Sequence, residues 1–214
     1  MAEIALQEYC QQIENTIEQG LYAEAVAHGK HILKQYPKHV ATYRLLGQAM
    51  LESGQSDKAA DMFNRVLSAN PESLIAWIAM SELYAERGEL DAAALHLELA
   101  FEQSSNNELI EEELRKLYSK RDGVDHPRVQ LTRGALARLY LKADLLPRAI
   151  SEFRSLLEEH PDRADLAVAL AESLWRNEQR LEASQVCQKL LDTLPYCIKA
   201  NLILGEIWAS SGRE

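Results

Sequence analysis

Apolar residues in this 214-residue chain come in bursts spaced three and four apart. That spacing marks helices with one buried face. The clearest burst follows Val40: Tyr43, Leu46, Gly47 and Met50 share one face of a helix predicted over about residues 41–52. Gly54 and Ser56 break it, and Ser56 is expected to cap a second helix over about residues 57–68. That helix turns Ala59, Ala60, Phe63, Val66 and Leu67 inward. Pro71 closes the segment, because proline cannot continue a helix and holds the preceding residue extended. Small residues at Gly47 and Ala59 let two helices cross closely where bulk would overpack. Strand-like alternation is absent, so the expected class is all-α.

The segment recurs. Gly20, Gly54 and Gly88 are each 34 apart, as are Ala25, Ala59 and Ala93, and Pro37 and Pro71. Tyr9, Tyr43 and Trp77 keep the same step, and so, later, do Ala149 and Ala183, Pro161 and Pro195, and Leu136, Leu170 and Leu204. A constant period with constant residue types signals stacked helical hairpins, each burying its neighbour's face. From Ala93 to Ala149 the spacing is 56, a slip of register. Leu109, Ile110, Leu114, Leu117 and Tyr118 form an apolar stripe there, and Asp122-Gly123 matches the turn. We read this as a degenerate unit that kept its first helix and packs into the array. Asp125 is expected to cap the following helix, with Pro127 in its first turn. The expected organisation is three units over 1–107, the degenerate unit and turn over 108–129, two units over 130–197, and a lone first helix over 198–214. In the fourth unit Leu136, Ala137, Tyr140, Ala149, Phe153 and Leu156 are expected inward.

The aromatic, Leu and Gly positions followed by Ala, Phe and Pro resemble the tetratricopeptide repeat over nearly the whole chain. The departures are Ile13 and Ser81 in the Gly47 slot and Ser105 in the Pro slot. The resemblance implies a right-handed superhelical solenoid of antiparallel helix pairs. First helices would line a concave groove that holds a peptide or helix of a partner protein. The groove residues would then be Glu14, Glu18, Arg44, Gln48, Glu52, Glu82 and Glu86 in the first half, and Arg138, Lys142, Glu172, Trp175 and Arg176 in the second. The first stretch is acidic and the second mixed, which suits a basic or dipolar segment. Trp175 would be the aromatic anchor. Co-chaperone members grip a terminal carboxylate with Lys, Arg and Asn at such slots. Here only Arg44 matches, so a free carboxylate would be repelled from the first half.

Charge sharpens this picture. The formal net charge is −10, with 7 Lys/Arg against 15 Asp/Glu in residues 1–107 and 16 against 18 thereafter. An acidic chain without basic clusters argues against nucleic acid. The start MAEIALQEYC has no signal-peptide pattern, and no apolar run reaches membrane-spanning length. Cys10, Cys187 and Cys197 have no metal or redox spacing, so reduced thiols and a cytoplasmic location are expected. His28 and His31 lie one turn apart and are read as ordinary helix residues. No set of titratable groups suggests catalysis, so no enzyme activity, cofactor or metal is expected. On the last helix Leu202, Leu204, Ile207 and Trp208 have nothing after them to cover them. They suggest an end-to-end homodimer, a longer array, or a targeting arm whose effector lies beyond residue 214.

Overall fold

The computed structural model describes residues 5–125, 128–210 and 212. Among these it contains twelve helices and no strand. They are α1 (Leu6–Glu18), α2 (Tyr22–Gln35), α3 (Val40–Glu52), α4 (Ser56–Ala69), α5 (Leu74–Glu86), α6 (Leu90–Gln103), α7 (Glu108–Asp122), α8 (Arg133–Lys142), α9 (Leu146–Glu159), α10 (Ala164–Arg176), α11 (Arg180–Thr193) and α12 (Ile198–Ser210). Successive helices pack pairwise from α1 to α7 and again from α8 to α12, giving an all-α repeat array.

The close crossing within each pair has a volume rule. Gly47 faces Phe63 so tightly that a Cβ there would lie 2.9 Å from the ring. In the third unit Ser81 takes the small slot and the smaller Leu97 the large one, and the buried Ser81 hydroxyl donates to the Ala93 carbonyl (2.8 Å). The later pairs, Ala137 with Phe153 and Ala171 with Cys187, are completely buried. In the first unit the sizes are exchanged, Ile13 standing in the small slot and Gly29 in the large one. Each fully buried Phe or Leu contributes roughly 1.5–3 kcal/mol.

The turns repeat as faithfully. Gly20, Gly54 and Gly88 have φ of 75°, 72° and 78°, and the equivalent positions after the slip are Asp144 and Glu178, both at φ 60°. Asn70, before Pro71, is extended (φ −138°, ψ 86°), and Ser104 adopts nearly the same geometry (φ −142°, ψ 64°) although no proline follows. A side chain on each of three first helices locks onto the proline carbonyl six residues earlier. Tyr43 donates to Pro37 (2.8 Å), Trp77 Nε1 to Pro71 (2.9 Å), and Asn201 Nδ2 to Pro195 (3.2 Å).

Three local expectations need correction. Ser56 is the first helical residue of α4, not its cap; Gln55 holds the cap position, and the Ser56 hydroxyl donates to Glu86 (3.3 Å). Asp125 lies outside any helix; α8 begins at Arg133 and is capped by Thr132, whose hydroxyl accepts from Ala135 N (3.1 Å). Pro127 lies outside the described residues. Leu136 is 37 % exposed instead of inward. Its equivalent Leu46 is covered at Gly29 by α2, the second helix of the preceding unit. Before α8 that second helix is missing, so the same slot has no cover.

At the slip, α7 does pack on α6, burying Ile110, Leu114 and Leu117, while Leu109 stays 73 % exposed. The next helix, α8, also docks on α6. It comes so close at Gly134 that a Cβ would meet the Glu102 carboxylate at 2.3 Å. The array therefore folds back at this point. The apolar cores of the first half run from Ile13 to Leu117, and the large core of the second from Ala137 to Leu204.

Gly47→Ala should destabilise the chain by roughly 1–3 kcal/mol, through the clash with Phe63. Glu178→Gly should stabilise it by a few tenths to about 1 kcal/mol, because glycine relieves the left-handed strain at some entropic cost. Urea unfolding followed by circular dichroism measures both.

Candidate protein-interaction surfaces

The expected groove residues of the first half are exposed or half-buried. Glu14 and Arg44 pair across α1 and α3. Glu18 and Glu52 are exposed at the ends of α1 and α3, and Gln48 is half-buried between its neighbours. Glu82 on α5 feels both Glu86 and Glu52. Partial burial pushes its carboxyl above the ordinary carboxylate value, and the Glu86 and then the Glu52 charges push the same way. Three predicted carboxylates are thus brought together.

Beside them lies a hollow of about 380 Å³ between α5 and α7. Ile78, Glu82 and Ala85 line it from α5, and Glu113, Lys116, Leu117 and Lys120 from α7. Lys116 bonds Glu113 (2.8 Å) and Glu112 (3.0 Å) along its own helix. The two lysines were absent from the expected groove set, yet their signal was available. One repeat step from Glu82 and Glu86 lands on Lys116 and Lys120. Cations therefore join the carboxylates at the α7 end of this face, Lys116 among them already paired with Glu112 and Glu113.

The second half is arranged differently. Arg138, expected on an open groove, is 4 % exposed. It donates to Asp165 (2.7 Å) and to Glu72 (2.7 Å), the latter on the turn between α4 and α5. The other Glu72 oxygen accepts from Lys199 (2.6 Å), which also bonds Glu172 (2.6 Å). Arg163 joins Asp165 (2.8 Å) to Glu102 (2.6 Å), and Glu102 accepts from Thr132 (2.7 Å). Burial alone would raise the Asp165 carboxyl, but hydrogen bonds and charge from Arg163 and Arg138 outweigh it and hold the group below its ordinary value of 3.8. Burial likewise opposes the charge on Lys199, yet Glu72 and Glu172 hold its ammonium above the usual lysine value. Arg176 reaches Asp144 (2.7 Å) and the Leu141 carbonyl (3.3 Å), and Lys142 donates to the Gln103 carbonyl (2.9 Å). Trp175 is 36 % exposed. Apart from Trp175, the predicted residues here bond within the chain. Glu72, Asp165 and Lys199 were missed, because Glu72 and Lys199 are 127 residues apart and share no local pattern.

Family models for the tetratricopeptide repeat match residues 16–73, 51–120 and 135–196. The chain belongs to the tetratricopeptide repeat family. Superkiller complex protein 3 of mouse is 31% identical over 71 residues, 33% of this chain and 4% of that protein. The human protein is 30% identical over 71 residues, with the same coverage of 33% and 4%. This chain thus spans a small fraction of these relatives' length. Among solved structures, the P58(IPK) repeat domain matches with a TM-score of 0.48 and 13% identity, covering 97% of this chain and 56% of that one. YrrB, a repeat protein with an unusual peptide-binding site, gives 0.45 and 18%, covering 90% and 88%. A thermophilic repeat protein of Thermus thermophilus gives 0.44 and 18%, covering 96% and 100%.

Other predicted positions fall as follows in this repeat protein. Leu204 is 3 % exposed and belongs to the second core, so it is not part of an uncovered end. Ile207 packs partly against that core, while Leu202 and Trp208 are exposed. Tyr9 and His28 share a hydrogen bond through Nδ1 (2.7 Å), and His28 Nε2 lies 3.6 Å from Glu24. Among the described residues no three His, Cys, Asp or Glu side chains are placed to hold a metal ion. The three cysteines are unpaired; burial raises the thiol of Cys10, Cys197 and, to about 12, Cys187. No described helix is long and apolar enough to cross a membrane.

Asp165→Ala should cost about 3–5 kcal/mol, since it strands Arg138 and Arg163 with too few partners. The depressed Asp165 pKa fixes the sign with pH. The stability it contributes is present above its ordinary value of 3.8 and disappears as pH falls through the lower folded-state value. Guanidinium titrations across the acid range should show this limb in the parent chain and not in the variant.

Proposed function

We propose that this chain is a non-catalytic scaffold that holds a segment of another protein against the face of α3, α5 and α7. The observation that carries this reading is the hollow at Glu82. Its lining combines the apolar Ile78, Ala85 and Leu117 with Glu82 on α5 and Glu113, Lys116 and Lys120 on α7. Clustered carboxylates with a raised Glu82 pKa are disfavoured in the free protein. A cationic group on a partner would relieve them. The partner segment is amphipathic and carries Lys or Arg, with acidic side chains favoured toward Lys116 and Lys120. Nucleic acid is not the ligand in this reading, and three unpaired thiols support a reducing, cytoplasmic setting. An alternative reading makes the array the recruiting arm of a larger protein. The match to relatives of which the aligned stretch is only 4% supports it. Pairing of two copies through Leu202 and Trp208 would be a separate property of the far end.

Selection from a displayed random-peptide library tests the scaffold reading. Enriched sequences should combine Lys or Arg with apolar residues. Glu82→Lys with Glu86→Lys should weaken the selected peptides about tenfold or more, as should raising the salt concentration. Binding should also fall on acidification, starting above the ordinary carboxylate range because Glu82 takes up its proton early. Glu82→Gln should flatten that dependence. Enrichment of acidic peptides, or affinity indifferent to the charge reversal, would overturn the assignment.

A further inference from the structure

We propose that the concave face of the second half is another binding surface, for an acidic segment, and that the chain's own Glu72 holds it shut. This surface is separate from the one at Glu82. It is built from the slots that line the concavity in a regular stack. Arg138 and Glu172 occupy the Gln48 slot of α8 and α10, and Lys199 stands in the first turn of α12. In an open array such side chains meet water or a partner. Here one oxygen of Glu72 lies 2.7 Å from Arg138 and the other 2.6 Å from Lys199. A two-cation grip on one carboxylate is the arrangement a bound acidic side chain would adopt. The structure thus displays the ligand chemistry of this face, supplied in cis.

Four details favour exchange over a purely structural role. Glu72 sits on the short turn between α4 and α5, so its grip on α8 and α12 is made by one side chain. The same slot one repeat earlier is Lys38, which lies over the ring of Tyr196 (4.2 Å). Two equivalent turns of the first half thus each place a side chain on the second half. Arg138 Nε is buried and has no acceptor among the described residues, so Glu72 does not use all that Arg138 offers. Lys199 keeps 40 % of its side chain exposed, and Trp175 lies half-open one turn beyond Glu172. An incoming segment would therefore meet an accessible cation and an aromatic surface before it displaces Glu72.

The test uses the full chain and a fluorescein-labelled peptide with the sequence of residues 68–76, SANPESLIA, beside the same peptide with its glutamate replaced by alanine. Glu72→Ala should bind the glutamate peptide about tenfold tighter than the parent chain, since removing the cis ligand raises the binding-competent fraction. It should not bind the alanine peptide, and small-angle scattering should report a larger radius of gyration for the variant. Glu82→Lys should leave this binding unchanged, which separates it from the first surface. Lys38→Ala loosens the second contact without touching Arg138 or Lys199. It should raise the affinity in the same direction, and it carries the test alone if Glu72→Ala does not fold. Equal binding of both peptides, or no gain in affinity in a folded variant, would overturn the proposal.

Discussion

Arg138, Asp165 and Glu72 set the relation between the two halves of the molecule. Charges this deeply buried are expensive to desolvate, and they persist only where the opposing charges are held in good geometry. Apolar contacts tolerate sliding, whereas a guanidinium held between two carboxylates at 2.7 Å each does not. The approach of α8 to α6 at Gly134 depends on the same junction, because the Glu102 carboxylate fills the space a side chain would need. The register slip removes one second helix. A set of ion pairs takes over the work that helix would have done by apolar packing.

This exchange explains the charge asymmetry. The second half carries more than twice as many cations as the first, but many bond within the junction or across their own turns. The first half gives Glu72 and Glu102 to that junction, and at Glu82 its other carboxylates act on one another. A stability argument alone would not place three like charges on one face. Under the proposed scaffold function, a cationic partner would relieve them.

The helices and most of their inward faces were legible because a repeat states each packing rule several times, whereas the close crossing was read as Gly47 with Ala59 and the structure sets Gly47 against Phe63. Ser81 opposite Leu97 can be checked against Gly47 opposite Phe63. Features stated only once were harder to read. Ser56 has cap chemistry, yet the turn places Gln55 at the cap. Leu136 matches Leu46 in sequence, but its cover was lost with the missing helix. Lys116 and Lys120 were readable by the same step that gave Glu82 and Glu86, had that step been carried through the degenerate unit. The Glu72 grip on Lys199 was not readable at all. Periodicity describes neighbours, and these residues meet only because the array turns back on itself.

That return changes what kind of object the chain is. In a regular stack each unit touches only the next, so stability is a sum of local terms and units can fray from either end. Here the turn after the second unit bonds α12, and Lys38, a repeat earlier, reaches Tyr196. Fraying at α12 must break the Lys199 contacts, and opening at the second unit must take Glu72 from Arg138, leaving it Asp165 alone. The two ends are therefore coupled through charge, although their apolar cores are separate. Any ligand that competes for Glu72 acts on this coupling. It favours the open arrangement only to the extent that it satisfies Arg138 and Lys199 better than the chain does.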